Sequence, residues 1–258
     1  MMKLDYSEKV RLYKQLVDDV RNCGKLNDCN KNKSGIQLEK CNRCNEINLW
    51  SYWQGGVEQL NADILLAGQD WGSFDTEDGH IVFRNIDSGK PYLSESKSDT
   101  DKNLCKLFKE IGEVVDSGTD RNRNVFFTNF VLCYRKPEHR ISGGFKQRWA
   151  SNCSEYFVRL VEIIQPKVII CLGRSVYANV MKAAGLKAPR GSYNDIIELG
   201  GKFAQFGDHK CMIFPEAHCG VFGTNNRNRG KNATGIELQK NDWKKIKAYL
   251  NNSCKSDN

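Results

Sequence analysis

Ala62-Asp-Ile-Leu-Leu-Ala-Gly68-Gln-Asp-Trp-Gly72 is the stretch that decides the fold. Residues Ala62 to Ala67 form a short apolar run closed by a glycine, the pattern of a strand buried on both faces. Outward from it the pattern repeats. Asn124 to Leu132 is a second apolar strand, Lys167 to Leu172 a third, and Cys211-Met-Ile-Phe214 a further one. Helical stripes separate them. Leu104, Leu107, Phe108, Ile111, Val114 and Val115 make one face. Trp149, Cys153, Tyr156, Phe157, Leu160 and Val161 make another, within a helix from Lys146 to Ile164 that Pro166 stops. Gly173-Arg174-Ser175 opens a helix through Ala184, and the last helix runs from about Gly235 to Leu250. Near the start, Val10, Tyr13, Leu16, Val17 and Val20 have helical spacing. Residues 193–199 and 202–206, joined by Gly200-Gly201, read as a hairpin.

Strands alternating with helices specify an α/β class: a single-domain three-layer α/β/α sandwich with a central, mostly parallel sheet of about four strands. The expected organisation is an N-terminal helix and polar loop over residues 1–40, one domain over 41–250, and a tail at 251–258. In such sheets ligands bind at the carboxyl ends of the strands. Gly68–Gly72, Asn129 with Cys133, and His218 all fall at such ends.

Composition narrows the function classes. With 258 residues, 40% hydrophobic and 10% aromatic, the chain has enough apolar material for a sizeable core. No run approaches the about 18 apolar residues of a membrane span. Met1 to Lys14 is charged and lacks an apolar run, which argues against a secretory leader and for a reducing, cytoplasmic compartment. The 11 cysteines are therefore read as metal ligands plus ordinary buried thiols. A surplus of 39 Lys and Arg over 31 Asp and Glu, net +8, suits a polyanionic partner such as nucleic acid.

Gly68 and Gly72 let the backbone turn sharply and approach a ligand closely. Asp70 between them is either a cap in a turn or a carboxylate at the sheet rim, available as anion or general base. His218, in Glu216-Ala-His-Cys-Gly220, follows the last strand and faces the same rim, whereas His80, His139 and His209 have no such placement. Cys41-Asn-Arg-Cys44 has the spacing that lets one turn present two thiolates to one metal. Cys133 and Cys153 complete a set of four, with Cys23 and Cys29 as competitors; the residues alone favour zinc and iron–sulfur equally. Arg121-Asn-Arg123 and Arg227-Asn-Arg229-Gly-Lys231 are short basic runs; Arg227, Arg229 and Lys231 beside the His218 loop are candidates for contacts to nucleic-acid phosphates.

In this order and spacing, the motifs resemble those of the uracil-DNA glycosylase superfamily, and its iron–sulfur branch, family 4, in particular. Cys41 and Cys44 precede the first strand. Gly68-Gln-Asp-Trp-Gly72 stands where the family has a Gly-x-x-Pro-Gly-like turn. Gly89-Lys-Pro-Tyr92, Thr128-Asn129-Phe-Val-Leu-Cys133, Cys153 in a helix, Pro166-Lys-Val-Ile-Ile-Cys-Leu-Gly173 and His218-Cys-Gly follow. The resemblance covers residues 41–222. It implies a monomeric enzyme of DNA repair that hydrolyses the N-glycosidic bond of uracil or a related deaminated base. Asp70 and His218 are then catalytic, Gln69, Trp71, Tyr92 and Asn129 bind the base, and Cys41, Cys44, Cys133 and Cys153 hold a [4Fe–4S] cluster, with zinc or no metal as alternatives. Trp71 and Cys219 replace prolines of the family pattern, and the 19 residues between Cys133 and Cys153 lengthen it. These departures favour a second reading, a catalytically silent nucleic-acid-binding protein on the same fold. A third, an unrelated α/β enzyme with structural zinc, finds no Gly-x-Gly-x-x-Gly or P-loop to support nucleotide chemistry.

Overall fold

The computed structural model describes residues 4–31, 35–39, 56–70, 99–115, 122–136, 145–230 and 232–253. Helix α1 (Tyr6–Arg21) starts at Asp5, whose carboxylate accepts from the Glu8 amide at 2.8 Å. Short α2 (Leu26–Cys29) and strand β1 (Leu38–Glu39) interrupt the stretch expected to be a plain polar loop. Then come β2 (Ile64–Gly68), α3 (Asp99–Ile111), β3 (Val125–Asn129), β4 (Tyr134–Arg135), α4 (Gln147–Ile164), β5 (Val168–Leu172) and α5 (Arg174–Ala183). Helix α6 (Tyr193–Leu199), β6 (Lys202–Phe206), β7 (His209–Glu216), α7 (Val221–Arg227) and α8 (Gly235–Ser253) complete the described elements.

Five strands form the main sheet in the order β3-β2-β5-β7-β6, parallel except for β6. Side chains alternate strictly across it. Leu65, Ala67, Ile169, Cys171 and Ile213 face α1, α4 and α5. Ile64, Leu66, Val168, Ile170 and Phe214 face α3 and α8. Both faces are covered, so the sandwich has three layers, as expected.

Two expectations change. Residues 193–199 are helical, because Ser192 caps them through the Asp195 amide at 3.2 Å and Gly200, at φ 79°, ends them. The hairpin instead joins β6 to β7 through Gly207 at φ 53°, which adds the fifth strand. Helix α3 stops at Ile111, where Gly112 takes φ 88°, and Val114 beyond it is exposed rather than part of the helical stripe.

From β2 the chain moves outward to β3, and from β5 it moves the other way to β7. The order therefore reverses between β2 and β5, which places the switch-point crevice at Gly68 and Gly173. Helix α1 is fixed to this frame by Lys9. Its fully buried ammonium donates to the carbonyls of Leu60 (3.0 Å), ahead of β2, and Ile164 (2.7 Å), at the end of α4. Lys9→Ala strips two buried carbonyls of their donor. The expected cost is about 2–4 kcal/mol, read as a lower urea midpoint at unchanged slope; an unchanged midpoint would show that Lys9 does not hold α1.

Candidate active site

The site begins at the carboxyl end of β2. Gly68 pairs in register with Asn129 of β3, and a Cβ at Gly68 would collide with the Asn129 amide oxygen. Only glycine allows the buried Asn129 side chain to lie across the end of the strand. The parallel ladder continues past the strands: Phe130 N–H donates to Gly68 C=O (2.9 Å) and Val131 N–H to Gln69 C=O (3.0 Å). Asp70 is thereby held at the rim by backbone bonds on the residues before it.

The Asp70 carboxylate is 6% exposed. Its Oδ2 accepts from Arg135 Nη2 at 2.8 Å and from Gln69 Nε2 at 3.0 Å. Gln69, expected at the base, therefore turns its amide N–H toward Asp70. Two charges so far from water persist only when paired and hydrogen-bonded.

His218 lies at the end of β7, two strands from Gly68. Solvent reaches its ring from the rim, yet the protein around it holds the imidazole below the ordinary histidine pKa, and the Asp70 charge works in the opposite direction. The Gly220 N–H donates to Nδ1 at 3.0 Å, so the neutral ring carries its proton on Nε2 as a donor. The loop beneath is tightly tied. Gln239 of α8 donates to the carbonyls of Ala217 (3.1 Å) and His218 (3.2 Å). Asn103 of α3 donates to Cys219 C=O at 2.9 Å. Gly223 packs against the His218 carbonyl so closely that a side chain would overlap it. Cys219 is fully buried in the α3/α8 layer, its thiol pushed up to about 12 by burial, so it fills space as a neutral, small apolar group.

Cys133 and Cys153 come together in one small apolar cluster with Cys29, Leu38, Val131 and Trp149. Burial pushes the Cys153 thiol up to about 12. Three thiols thus share this cluster; Cys133 and Cys153 fit as half of the ligands of a thiolate-bound metal cluster, whose loading would displace their protons, and Cys29, the competing candidate, lies in the same cluster. Among the described residues no three metal-binding side chains converge. Cys41 and Cys44 lie outside the described residues, as do Trp71, Tyr92 and Lys231.

Arg227 departs from its expected role. Its side chain is 3% exposed and grips Asp242 through Nε–Oδ2 (2.7 Å) and Nη2–Oδ1 (3.0 Å), with Glu198 at 3.5 Å. The guanidinium fastens α7 to α8 and is closed to phosphate. Arg229, two residues on, is exposed. The sequence reading also missed Arg135, Gln239 and Asn103, whose roles depend on contacts distant along the chain, and Phe222. The last is 78% exposed, four residues after His218; a large aromatic at the mouth of a rim loop is its signal.

The sequence pattern of the uracil DNA glycosylase superfamily matches residues 56–249, from the approach to β2 into the last turns of α8. The chain belongs to the uracil DNA glycosylase superfamily. Relatives point to one branch. The protein is 28% identical over 187 residues to the type-4 uracil-DNA glycosylase of Saccharolobus solfataricus, covering 70% of this chain and 72% of that one. It is 25% identical over 180 residues to the type-4 enzyme of Sulfurisphaera tokodaii, covering 68% and 69%. A third, from Archaeoglobus fulgidus, is 27% identical over 139 residues, covering 54% and 57%. The sandwich with its parallel sheet is therefore the glycosylase fold, and the Asp70, Asn129 and His218 rim falls within the matched span. No helix among the described residues is long and apolar enough to cross a membrane.

Removing the Arg227 guanidinium separates the two roles. Arg227→Ala leaves the buried Asp242 with only the half-exposed Lys245 ammonium, 3.8 Å away, as a counter-charge, an expected loss of about 2–4 kcal/mol in chemical denaturation, with little change in the affinity for DNA at low salt. A variant of unchanged stability and weakened DNA binding would restore the phosphate contact.

Proposed function

We propose that the protein is a DNA glycosylase that hydrolyses the N-glycosidic bond of uracil or a related deaminated base in DNA. The observation that carries this reading is the rim itself: a fixed carboxylate, Asp70, and an Nε2–H donor, His218, at the carboxyl ends of two parallel strands of one sheet, with β5 between them. The printed names of the relatives and the family membership support it.

The chemistry follows from what bond cleavage requires. A base in a duplex must leave the stack and enter a pocket. The Asn129 amide donates and accepts together, which matches an imide edge with adjacent N–H and C=O groups. Tyr92 and Trp71 supply aromatic faces for the extruded base. As the bond opens, positive charge grows on the sugar and negative charge on the base. Asp70 faces the sugar, stabilises the oxocarbenium-like carbon and orients the attacking water. His218 donates from Nε2 to the base oxygen that gathers charge. Water then delivers hydroxide to the sugar carbon, and the base leaves with a proton. Arg229 and Lys231 lie along the strand's phosphates, and Phe222 enters the gap left in the stack.

Cys41, Cys44, Cys133 and Cys153 would hold a [4Fe–4S] cluster, which when bound ties the N-terminal segment to β4 and α4. Zinc is the competing occupant; absorption near about 400 nm marks thiolate-bound iron.

Purified protein incubated with single- and double-stranded oligonucleotides carrying uracil or another deaminated base is expected to leave alkali-labile sites. Asp70→Asn should slow single-turnover excision by about 10²–10³-fold. DNA binding without excision of any deaminated base would instead establish the silent-binder reading. The rate should stay level through pH 7 and fall only as pH drops through the depressed His218 pKa, because the neutral ring is the donor; a collapse that begins above the ordinary value of 6.5 would contradict this. Phe222→Ala should slow excision from duplex about tenfold more than from single strands, since only duplex leaves a gap to fill. Equal losses on both would remove Phe222 from the DNA-opening step.

A further inference from the structure

Arg135 stands where the thiol-bearing segments meet the reaction centre. It follows Cys133 by two residues. Its backbone pairs with Leu38 of β1, and β1 ends at Glu39, two residues before Cys41. Lys136 N–H continues that pairing to Gln37 C=O at 3.0 Å. On its other side the guanidinium lies 5.8 Å from the centre of the Trp149 ring. Trp149 is fully buried one helical turn before Cys153, and its Nε1–H donates to Cys29 C=O at 2.8 Å. The Arg135 side chain is 4% exposed and reaches Asp70 Oδ2 at 2.8 Å.

A two-residue strand, an indole face and a carboxylate thus fix the guanidinium from three directions. Stability is a poor reason to bury such a pair, because apolar side chains of similar volume do as well or better. Direction is a better one. A carboxylate that orients water and faces a developing cation must not swing, and a planar guanidinium braced by cation–π contact holds it more narrowly than an ammonium on a flexible stem.

We propose that Arg135 is a positioning residue for Asp70: it touches neither base nor sugar, and it sets the direction in which the Asp70 carboxylate points. The inference rests on the glycosylase reading. It makes the packing of the cysteine-bearing segments around Arg135 the support on which Asp70 stands.

The test is a double-mutant cycle on the metal-loaded full chain, using Arg135→Gln, Asp70→Asn and both together, with uracil-containing DNA at saturation in single turnover. Arg135→Gln should slow bond cleavage about 10–100-fold, as loss of an orienting partner does, with the DNA dissociation constant changed by less than about threefold. The double variant should match Asp70→Asn within about twofold, since Arg135 acts only through Asp70. Arg135→Lys should fall between wild type and Arg135→Gln. Bound metal per chain and the circular dichroism spectrum should be unchanged in both. Losses that multiply in the double variant, an unaltered rate in Arg135→Gln, or loss of metal in step with loss of rate would overturn the proposal. If Arg135→Gln does not fold, the same cycle with Arg135→Lys decides between coupled and multiplying losses. Excision by wild type with multiplying losses sinks this inference alone; no excision by wild type sinks the glycosylase reading and this inference with it.

Discussion

The candidate site is arranged around one close approach: the Asn129 amide occupies the space that a side chain at Gly68 would need. Asn129 lies across the bare Cα at the place where β2 and β3 are in register to their last residues, and their ladder continues into the turn. The turn then presents Asp70 at the point where the strand order reverses. A β-carbon at Gly68 would push the Asn129 amide out of this position. The Asn129 amide and the Asp70 carboxylate thus sit on either side of the same bare Cα.

Two buried guanidinium–carboxylate pairs serve different ends. Arg227 and Asp242 meet through two parallel bonds, with Glu198 at the margin, and join α7 to α8 behind the His218 loop. Arg135 and Asp70 meet at the rim with Gln69 as a second donor. The first is a clamp with both partners turned inward. In the second, one partner belongs to the turn that follows β2 at the rim of the sheet. The His218 loop is held in complementary fashion, by neutral donors from α3 and α8 to its backbone carbonyls. The protein around the imidazole lowers its pKa, and the Asp70 charge works against that shift.

Much of this was legible from residue order. Continuous apolar runs such as Ile64–Ala67 and Val168–Leu172 can only be strands covered on both faces, and the helical stripes between them fix the parallel sandwich. The placement of Asp70, Asn129 and His218 at the carboxyl ends of strands was legible because a glycine or a strand end sits beside each. The helix at 193–199 was not, because its Ile-Ile pair mimics a strand and the deciding signals were the Ser192 cap and Gly200. Arg227 misled for a related reason. A basic run reads as a solvated face, and nothing local reports that Asp242, on the next helix, draws one of its members inside. Arg135 carries no local signal at all, since its partners come from 65 residues upstream and from the face of an indole in α4.

The central claim is that Asp70, Asn129 and His218 close on one extruded base. The most direct measurement is a crystal structure with duplex DNA carrying a single 2′-fluoro-deoxyuridine, whose glycosidic bond resists cleavage. The account predicts the uracil outside the helix, its edge within about 3 Å of the Asn129 amide and of His218 Nε2, and the sugar carbon facing the Asp70 carboxylate. Uracil still stacked in the duplex, or seated anywhere that leaves those three side chains untouched, would contradict it.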